Sequence, residues 1–371
     1  MALAAAYSVI AVSLAVPASA GQPAAKTTAQ RQPQASSDQN EVAGKIRRRL
    51  KAEEDQIASM VVMLHDTKRK KVLPVNISYP LSGDKFAVIV FSHGGACSGL
   101  DYNYLASYWA RHGYVCIQPF HEDSIAWNRE RKTLLQCLEM IPGLQTDKEA
   151  WINRSEDVSF IISSLPSVHP RLAGKLDSSR VGVSGHSLGA LSALMLGGAR
   201  VPRPDLPPRV ESLGDKRVKA IVALSPQGVK SGPGKFGFDD RKSFTIAVPA
   251  MFVSGDRDQM SETTVSQNID AFRYSPPGDK YYASLYGANH TTFSGHIDFH
   301  LPGGIADFAL DPANAQTLEA YGDQDADRKL VQEMTTLFWD AYLKGDAGEK
   351  TLLKQGGLSK LIGKAGVVQA R

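Results

Sequence analysis

Arg180-Val181-Gly182-Val183-Ser184-Gly185-His186-Ser187-Leu188-Gly189-Ala190-Leu191-Ser192-Ala193-Leu194-Met195 is the stretch from which the fold can be read. Residues 180–184 read as a strand and residues 190–195 as a helix, with the pattern G-x-S-x-G between them. In that context the serine sits on a strained strand-to-helix turn with its hydroxyl exposed. The flanking glycines let the strand and helix backbones approach more closely than side chains would allow. The pentapeptide recurs by chance, so it acquires chemical meaning only if partners lie at the right places elsewhere in the chain.

Partners follow in the order such a site requires. Val248-Pro249-Ala250-Met251-Phe252-Val253-Ser254 reads as a buried strand and runs into Gly255-Asp256-Arg257-Asp258. The strand-like run Lys280–Tyr286 ends in Gly287-Ala288-Asn289-His290. Ser187, an aspartate at 256 or 258, and His290 therefore each follow the carboxyl end of a strand, where a parallel α/β sheet collects its functional groups. A serine hydroxyl is a poor nucleophile without a base. His290 is the expected base and then the acid for the leaving group, and the aspartate would hold the imidazole tautomer. The alternative for His290 is a structural loop histidine. Of Asp256 and Asp258, the one not used would be an ordinary loop carboxylate.

A fourth element lies upstream. Phe86-Ala87-Val88-Ile89-Val90-Phe91 is a continuous apolar run, the mark of a central strand, and it ends in Ser92-His93-Gly94-Gly95-Ala96. Acyl transfer needs two backbone N–H groups aimed at the developing oxyanion, and Gly95 and Leu188 are the expected donors.

With these residues in place, the chain resembles the α/β-hydrolase superfamily. Within it, the resemblance is to esterases grouped with dienelactone hydrolases and platelet-activating-factor acetylhydrolases, and more distantly to cutinase-like polyester hydrolases. It runs from about Asp66 to about Trp339. Its markers are Leu73-Pro74-Val75-Asn76-Ile77-Ser78-Tyr79-Pro80, Phe91-Ser92-His93-Gly94-Gly95, His121-Glu122-Asp123-Ser124, the Ser187 elbow, Leu224-Ser225-Pro226-Gln227 and Gly287-Ala288-Asn289-His290. The resemblance implies an α/β-hydrolase fold: a mostly parallel central sheet, an antiparallel N-terminal hairpin and helices on both faces. It also implies a serine carboxylic-ester hydrolase that forms an acyl-enzyme on short- to medium-chain or lipid-like esters, needs no cofactor, and uses Asp258 as the acid. Cutinase-like polyester hydrolases carry an aromatic residue beside the oxyanion loop; the matching position here is Gly95, which argues against efficient polyester cleavage. A peptidase on the same fold and a non-catalytic exported binding protein are the competing readings. The first lacks a propeller domain and an amine-binding acidic pair, and the second would be expected to have lost part of the Ser187, Asp258, His290 and Gly95 set.

Composition bounds the rest. The chain has 371 residues with 43% hydrophobic and 8% aromatic content, values of a globular protein. A formal net charge of +4 over this length gives no reason to expect a nucleic-acid partner. Lys45–Lys51 and Lys68–Lys71 read as a solvated helix face and a hairpin turn. Residues 1–20, with an apolar run from Leu3 to Val16 and Ala18-Ser19-Ala20, read as a secretory signal that lacks the usual basic start. No cysteine follows it and no second long apolar segment appears, so an exported protein, periplasmic or secreted, without a stable membrane anchor is expected. Residues 21–44 read as a disordered linker, 45–345 as the catalytic domain and 346–371 as a tail.

Ile57–Leu64 and Val72–Tyr79 read as an antiparallel hairpin. Helices are expected over 101–112 with Asp101 as N-cap, over 151–165, and over 325–343. Loops 121–148 and 227–243 are placed to shape a substrate pocket, the latter as a mobile Gly/Lys-rich segment. Of the three cysteines, Cys116 is expected in a buried strand, while Cys97 and Cys137 are able to pair; Cys97 is read as a small apolar filler. His93 is expected to shape the oxyanion loop and His186 to be structural. His121-Glu122-Asp123 is either pocket lining or structural. His296 and His300 have the i, i+4 spacing of a zinc pair but lack H-E-x-x-H, and Gly295 and Pro302 argue against a helix, so no metal is expected.

Overall fold

Continuous apolar β-branched runs are buried on both faces when strands run parallel between helices, and Phe86–Phe91 and Val248–Ser254 read that way. In a computed structural model, which describes residues 57–95, 97–124, 141–201, 212–230, 236–259, 265–294 and 324–371, nine strands form one sheet. They are β1 (Ile57–Asp66), β2 (Lys71–Pro80), β3 (Phe86–Ser92), β4 (Tyr114–Pro119), β5 (Leu176–His186), β6 (Val218–Leu224), β7 (Ala250–Arg257), β8 (Lys280–Asn289) and β9 (Gly366–Ala370). The order is β1-β2-β4-β3-β5-β6-β7-β8-β9. β4, β3, β5, β6, β7 and β8 pair in parallel, with Val90 opposite Val183 and Val183 opposite Ile221 in the centre. β1 pairs antiparallel with β2, and β2 with β4. This is the α/β-hydrolase arrangement with its N-terminal hairpin.

Side chains alternate across the sheet, so each strand feeds two cores. On one face, Val88, Val90, Val183, Ile221 and Phe252 pack under helices α3 (Lys148–Ser164), α4 (Leu188–Leu196) and α5 (Asp270–Tyr274). On the other, Ile89, Phe91, Val222 and Val253 pack under α1 (Asn103–Arg111), α6 (Gln324–Trp339), α7 (Ala347–Lys354) and α8 (Gly357–Ile362). A short helix α2 (Ile141–Thr146) precedes α3.

Two expectations need correction. Asp101 is not the N-cap of α1: Ser98 caps a preceding 3-10 turn (Gly99–Tyr102), and the Asp101 carboxylate accepts the Ser98 N–H at 2.7 Å as the third residue of a capping box. Residues 346–371 are not a tail. Leu353, Leu358, Leu361 and Ile362 are buried in the second core, and β9 pairs antiparallel with β8, which closes that edge of the sheet. Of the 227–243 loop, Phe236 and Phe238 are buried, with the Phe238 ring tilted against Phe244 at a centroid distance of 4.8 Å, and residues 231–235 lie outside the described residues. Residues 1–44, Cys137 and His296–His300 lie outside the described residues.

Candidate active site

β5 ends at His186 and α4 begins at Leu188, leaving Ser187 alone to turn the chain, with φ 54° and ψ −119°. A non-glycine residue there is strained by about 1–3 kcal/mol and persists only where its surroundings fix it. They do: the Ser187 N–H donates to the Leu224 carbonyl at 3.0 Å, and its own carbonyl accepts from Leu191 N–H at 3.1 Å. A Cβ on Gly189 would sit 1.9 Å from the Ser92 carbonyl oxygen, and one on Gly185 would sit 2.2 Å from the Gly189 oxygen. Only hydrogen fits at either position, so the elbow is written into its two glycines.

The loop after β7 carries Asp258, which is buried, and the turn after β8 carries His290. His290 Nδ1 lies 2.8 Å from Asp258 Oδ1. Asp256 points elsewhere: its exposed carboxylate accepts the Gly287 N–H at 2.7 Å and ties the β7 and β8 loops together. Between the two aspartates of the sequence, Asp258 is the one paired with the histidine. The His290 turn is held from three sides. Asn289 Oδ1 accepts from Thr291 N–H and Thr292 N–H at 2.9 and 3.1 Å, Arg328 Nε donates to the Thr292 carbonyl at 3.2 Å, and Tyr104 donates to the Phe293 carbonyl at 2.9 Å. Ser187 and His290 line the same pocket; among the described residues no hydrogen bond joins the Ser187 hydroxyl to the imidazole. Such bonds commonly tighten only when substrate binds.

His186 packs against His290, ring centroids 4.7 Å apart, and its Nδ1 is hydrogen-bonded to the Tyr102 hydroxyl at 2.8 Å. Burial, reinforced by His290, pushes its pKa well below the usual imidazole range. It is therefore a neutral wall beside His290.

The loop after β3 rests on a dry polar network. Arg154 on α3, 2% exposed, grips Asp123 with two bonds, Nε to Oδ1 at 3.0 Å and Nη2 to Oδ2 at 2.6 Å. The same guanidinium donates to the His93 carbonyl at 2.6 Å and to the Gly94 carbonyl at 3.1 Å. Gly94 O also accepts from His93 Nδ1 at 2.6 Å and from Cys97 N–H at 3.3 Å. In a trans peptide the C=O and the following N–H point in opposite directions. Fixing the Gly94 carbonyl toward Arg154 thus aims the Gly95 N–H the other way, and a Cβ on Gly95 would face Leu188 at 3.7 Å. Leu188 is the first residue of α4, where N–H groups have no helical acceptor. Gly95 and Leu188, the two expected oxyanion donors, thus lie close to each other, with Leu188 next to Ser187 in the chain.

Behind them, His93 Nε2 accepts from His121 N–H at 3.2 Å, His121 Nε2 bonds the Ser92 hydroxyl at 2.9 Å, and His121 Nδ1 bonds Asp157 at 2.9 Å. Asp157 is answered in turn by Lys71 at 3.0 Å and Arg69 at 2.8 Å. Burial and the nearby Arg154 charge push His93 well below its usual pKa and lower that of His121, so both rings are neutral. Burial would raise Asp123, but Arg154 outweighs it and holds the carboxyl well below the ordinary range. The His121-Glu122-Asp123 stretch lies behind the oxyanion loop; its His121 and Asp123 are buried in the network and do not line the Ser187 pocket.

The chain is similar to a platelet-activating factor acetylhydrolase. That protein, from Cavia porcellus, is 24% identical over 307 residues, which cover 73% of this chain and 61% of the relative. The match therefore spans less than two thirds of the relative's length. No family model matches the chain.

The Ser187 pocket is lined by Gln145, Ser225, Pro226, Gln227, Phe236, Asp258, Asn268 and His290. Of these, Ser225, Pro226 and Gln227 stood in the sequence as markers without a role, Gln145, Gln227 and Phe236 fall in the two loops expected to shape the pocket, and Asn268 carried no signal. Arg154 and Asp157 were missed, though a signal existed: Trp151, Val158, Ile161 and Ile162 set a helical stripe, and both charged residues fall on it. A charge on an apolar stripe is buried and must be paired. Among the described residues Cys97 and Cys116 carry free thiols, while Cys137 lies outside them, and burial pushes the Cys97 thiol up to about 12, away from nucleophile chemistry. Among the described residues no cluster of His, Cys, Asp and Glu is able to hold a metal, and no helix is long and apolar enough to cross a membrane.

Proposed function

We propose that the protein is a serine carboxylic-ester hydrolase working through an acyl-enzyme on short- to medium-chain or lipid-like esters. The observation that carries this is the 2.8 Å His290–Asp258 pair lining one pocket with a serine held on a strained elbow. The similarity to an acetylhydrolase supports ester hydrolysis.

In the proposed reaction Ser187 Oγ attacks the acyl carbon and its proton passes to His290 Nε2, while Asp258 holds Nδ1 and balances the imidazolium. The carbonyl π pair moves to oxygen, which the Gly95 and Leu188 N–H groups bind. Collapse breaks the ester C–O bond, and Nε2 returns the proton to the leaving alkoxide. Water then repeats the sequence: it gives a proton to Nε2, attacks the acyl carbon, and releases the acid as Ser187 recovers its proton. No step draws on a cofactor.

Hydrolysis of p-nitrophenyl esters from acetate to palmitate by wild type and Ser187→Ala tests this. Activity lost in the variant, with a chain-length optimum, supports it. Activity that survives in the variant, or wild type inert on every ester and unlabelled by a fluorophosphonate, overturns it in favour of peptide substrates or a binding role. We also propose export, on the apolar run from Leu3 to Val16 and the Ala18-Ser19-Ala20 site. N-terminal sequencing of the protein recovered outside the cytoplasm would begin near Gly21 if this holds.

A further inference from the structure

Beside the Ser187 elbow, β6 ends at Leu224 and the chain turns at Ser225 with φ 52°. The position is unusual twice over, since Ser225 is neither glycine nor free to relax: it precedes Pro226, and its N–H is held by the Val253 carbonyl at 2.7 Å. Residues before proline ordinarily take extended backbone. Strain of this kind persists where the surroundings over-determine it and gathers at ligand clamps. What the turn accomplishes is to place Ser225 and Gln227 in the wall of the pocket that holds Ser187.

Both side chains are 3% exposed, and neither the Ser225 hydroxyl nor Gln227 Oε1 has a hydrogen-bond partner among the described residues. The other end of the Gln227 amide is used: Nε2 donates to the Ser225 carbonyl at 3.3 Å, which fixes Oε1 as the free acceptor. Asp258 Oδ2, on the same wall, is also without a partner. Buried polar atoms are almost always paired, so several free ones converging on a catalytic pocket point to a ligand that completes them.

The chemistry of the free atoms selects the ligand. Gln227 Oε1 and Asp258 Oδ2 accept only, and the Ser225 hydroxyl does either. A hydroxyl group, donor and acceptor at once, answers both kinds. A cation is a poorer match, because the Ser225 hydroxyl and the Gln227 amide are neutral and the other Asp258 oxygen is already bonded to His290 at 2.8 Å. The side of the scissile bond follows from the lining. His290 and Asp258 border the pocket and Gly95 does not. The leaving oxygen must meet His290 to be protonated, so this is the alcohol side.

We propose that Ser225 and Gln227 form a hydroxyl-binding subsite for the leaving alcohol, so that the enzyme favours monoesters of small diols and polyols over those of simple alkanols. The proposal rests on the serine-hydrolase reading above and deepens it. A site built to bond a hydroxyl discriminates strongly against an analogue lacking one, since its own buried groups are then left unpaired.

The test compares kcat/KM for 2-hydroxyethyl acetate and propyl acetate, which exchange a hydroxyl for a methyl, each divided by its hydroxide-catalysed rate. Wild type is expected to prefer the hydroxyl ester by about tenfold or more. Gln227→Met, which keeps the volume, and Ser225→Gly, which suits the positive φ, are each expected to bring that ratio toward one. A wild-type ratio near one, or a ratio unmoved in folded variants, overturns the subsite while leaving the hydrolase standing. If neither variant folds, the wild-type ratio decides alone. Wild type inert on both esters removes the hydrolase reading, and the subsite falls with it.

Discussion

The two sides of Ser187 are built on opposite principles. Behind the oxyanion loop, Arg154, Asp123, His93, His121 and Asp157 are buried and bonded to one another or to backbone carbonyls at 2.6–3.4 Å. In the pocket, Ser225, Gln227 and Asp258 are just as buried, yet each keeps an atom without a partner among the described residues. Strain divides the same way: Ser187 and Ser225 have positive φ, and His93 and Gly94 do not. A saturated polar network holds geometry and has nothing left to bind with. An unsaturated, strained wall is costly to keep and earns its place only with a ligand. The network is therefore scaffold and the wall is working surface.

The sharpest division of the two sides comes from removing the nucleophile. Ser187→Ala is expected to lower kcat by about 10⁵–10⁶-fold, leaving only what amides and binding contribute. The fold should be unchanged by circular dichroism, since the hydroxyl supports no packing. A residual rate within about tenfold of wild type would end the nucleophile assignment.

Next in size is the acid. Asp258→Asn keeps the shape but favours the wrong imidazole tautomer, and a loss of about 10⁴-fold in kcat is expected. Asp256→Asn, whose carboxylate only meets the Gly287 N–H, should stay within a few-fold. Equal losses from the two would place the acid outside the pairing described above.

On the scaffold side the leading effect should be stability. Arg154→Met strips a buried carboxylate of its partner, a loss of about 3–5 kcal/mol by denaturant unfolding. It also frees the Gly94 peptide, so kcat should fall by roughly 10–100-fold as the Gly95 amide loses its aim, with KM little changed. A variant destabilised but with unaltered kcat would separate the network from catalysis.

The buried histidines also set an acid limit on the fold. His93, His121 and His186 are held neutral by burial, with pKa values below 6.5 in the folded protein. As pH falls through 6.5 the unfolded chain takes up protons that the folded one refuses, so stability declines, by about 1.4 kcal/mol per pH unit for each such histidine. Asp123 and Asp157, held below 3.8, add a second decline of the same sign under that pH. Urea unfolding at pH 7.5, 6.0 and 5.0 reads the first step. A flat profile over that range would mean the rings protonate in place and are not locked.

How much of this was legible follows from what each feature depends on. The strands around Ser187, Asp258 and His290 are local runs of apolar residues that end in turn residues, and local patterns survive in a sequence. The Asp256–Asp258 choice was legible only through the family resemblance and not from the residues themselves, because two residues apart on one loop they differ in direction only, and direction comes from β7 lying against β8. The C-terminal strand was hidden by its brevity and its Gly and Lys neighbours; Gly366–Ala370 becomes a strand because β8 offers an open edge. Arg154 was readable as a charge on an apolar stripe. Gln227 was not, since its meaning lies in an oxygen without a partner.

The smallest expected effect bears directly on the contrast between strained wall and relaxed scaffold. If Ser187 is strained for function, Ser187→Gly should raise stability while abolishing activity. Glycine accepts φ 54° freely, which releases about 1–3 kcal/mol of strain, but its unfolded chain gains entropy worth about 0.4–1 kcal/mol. A net gain of about 1 kcal/mol is expected, seen as a raised denaturant midpoint at unchanged slope. The control is Ser359→Gly on α8, where the side chain is exposed, the backbone is helical and no side-chain hydrogen bond is lost; it should lower stability. If both substitutions destabilise alike, the elbow stores no strain and its geometry is simply what the two flanking glycines impose.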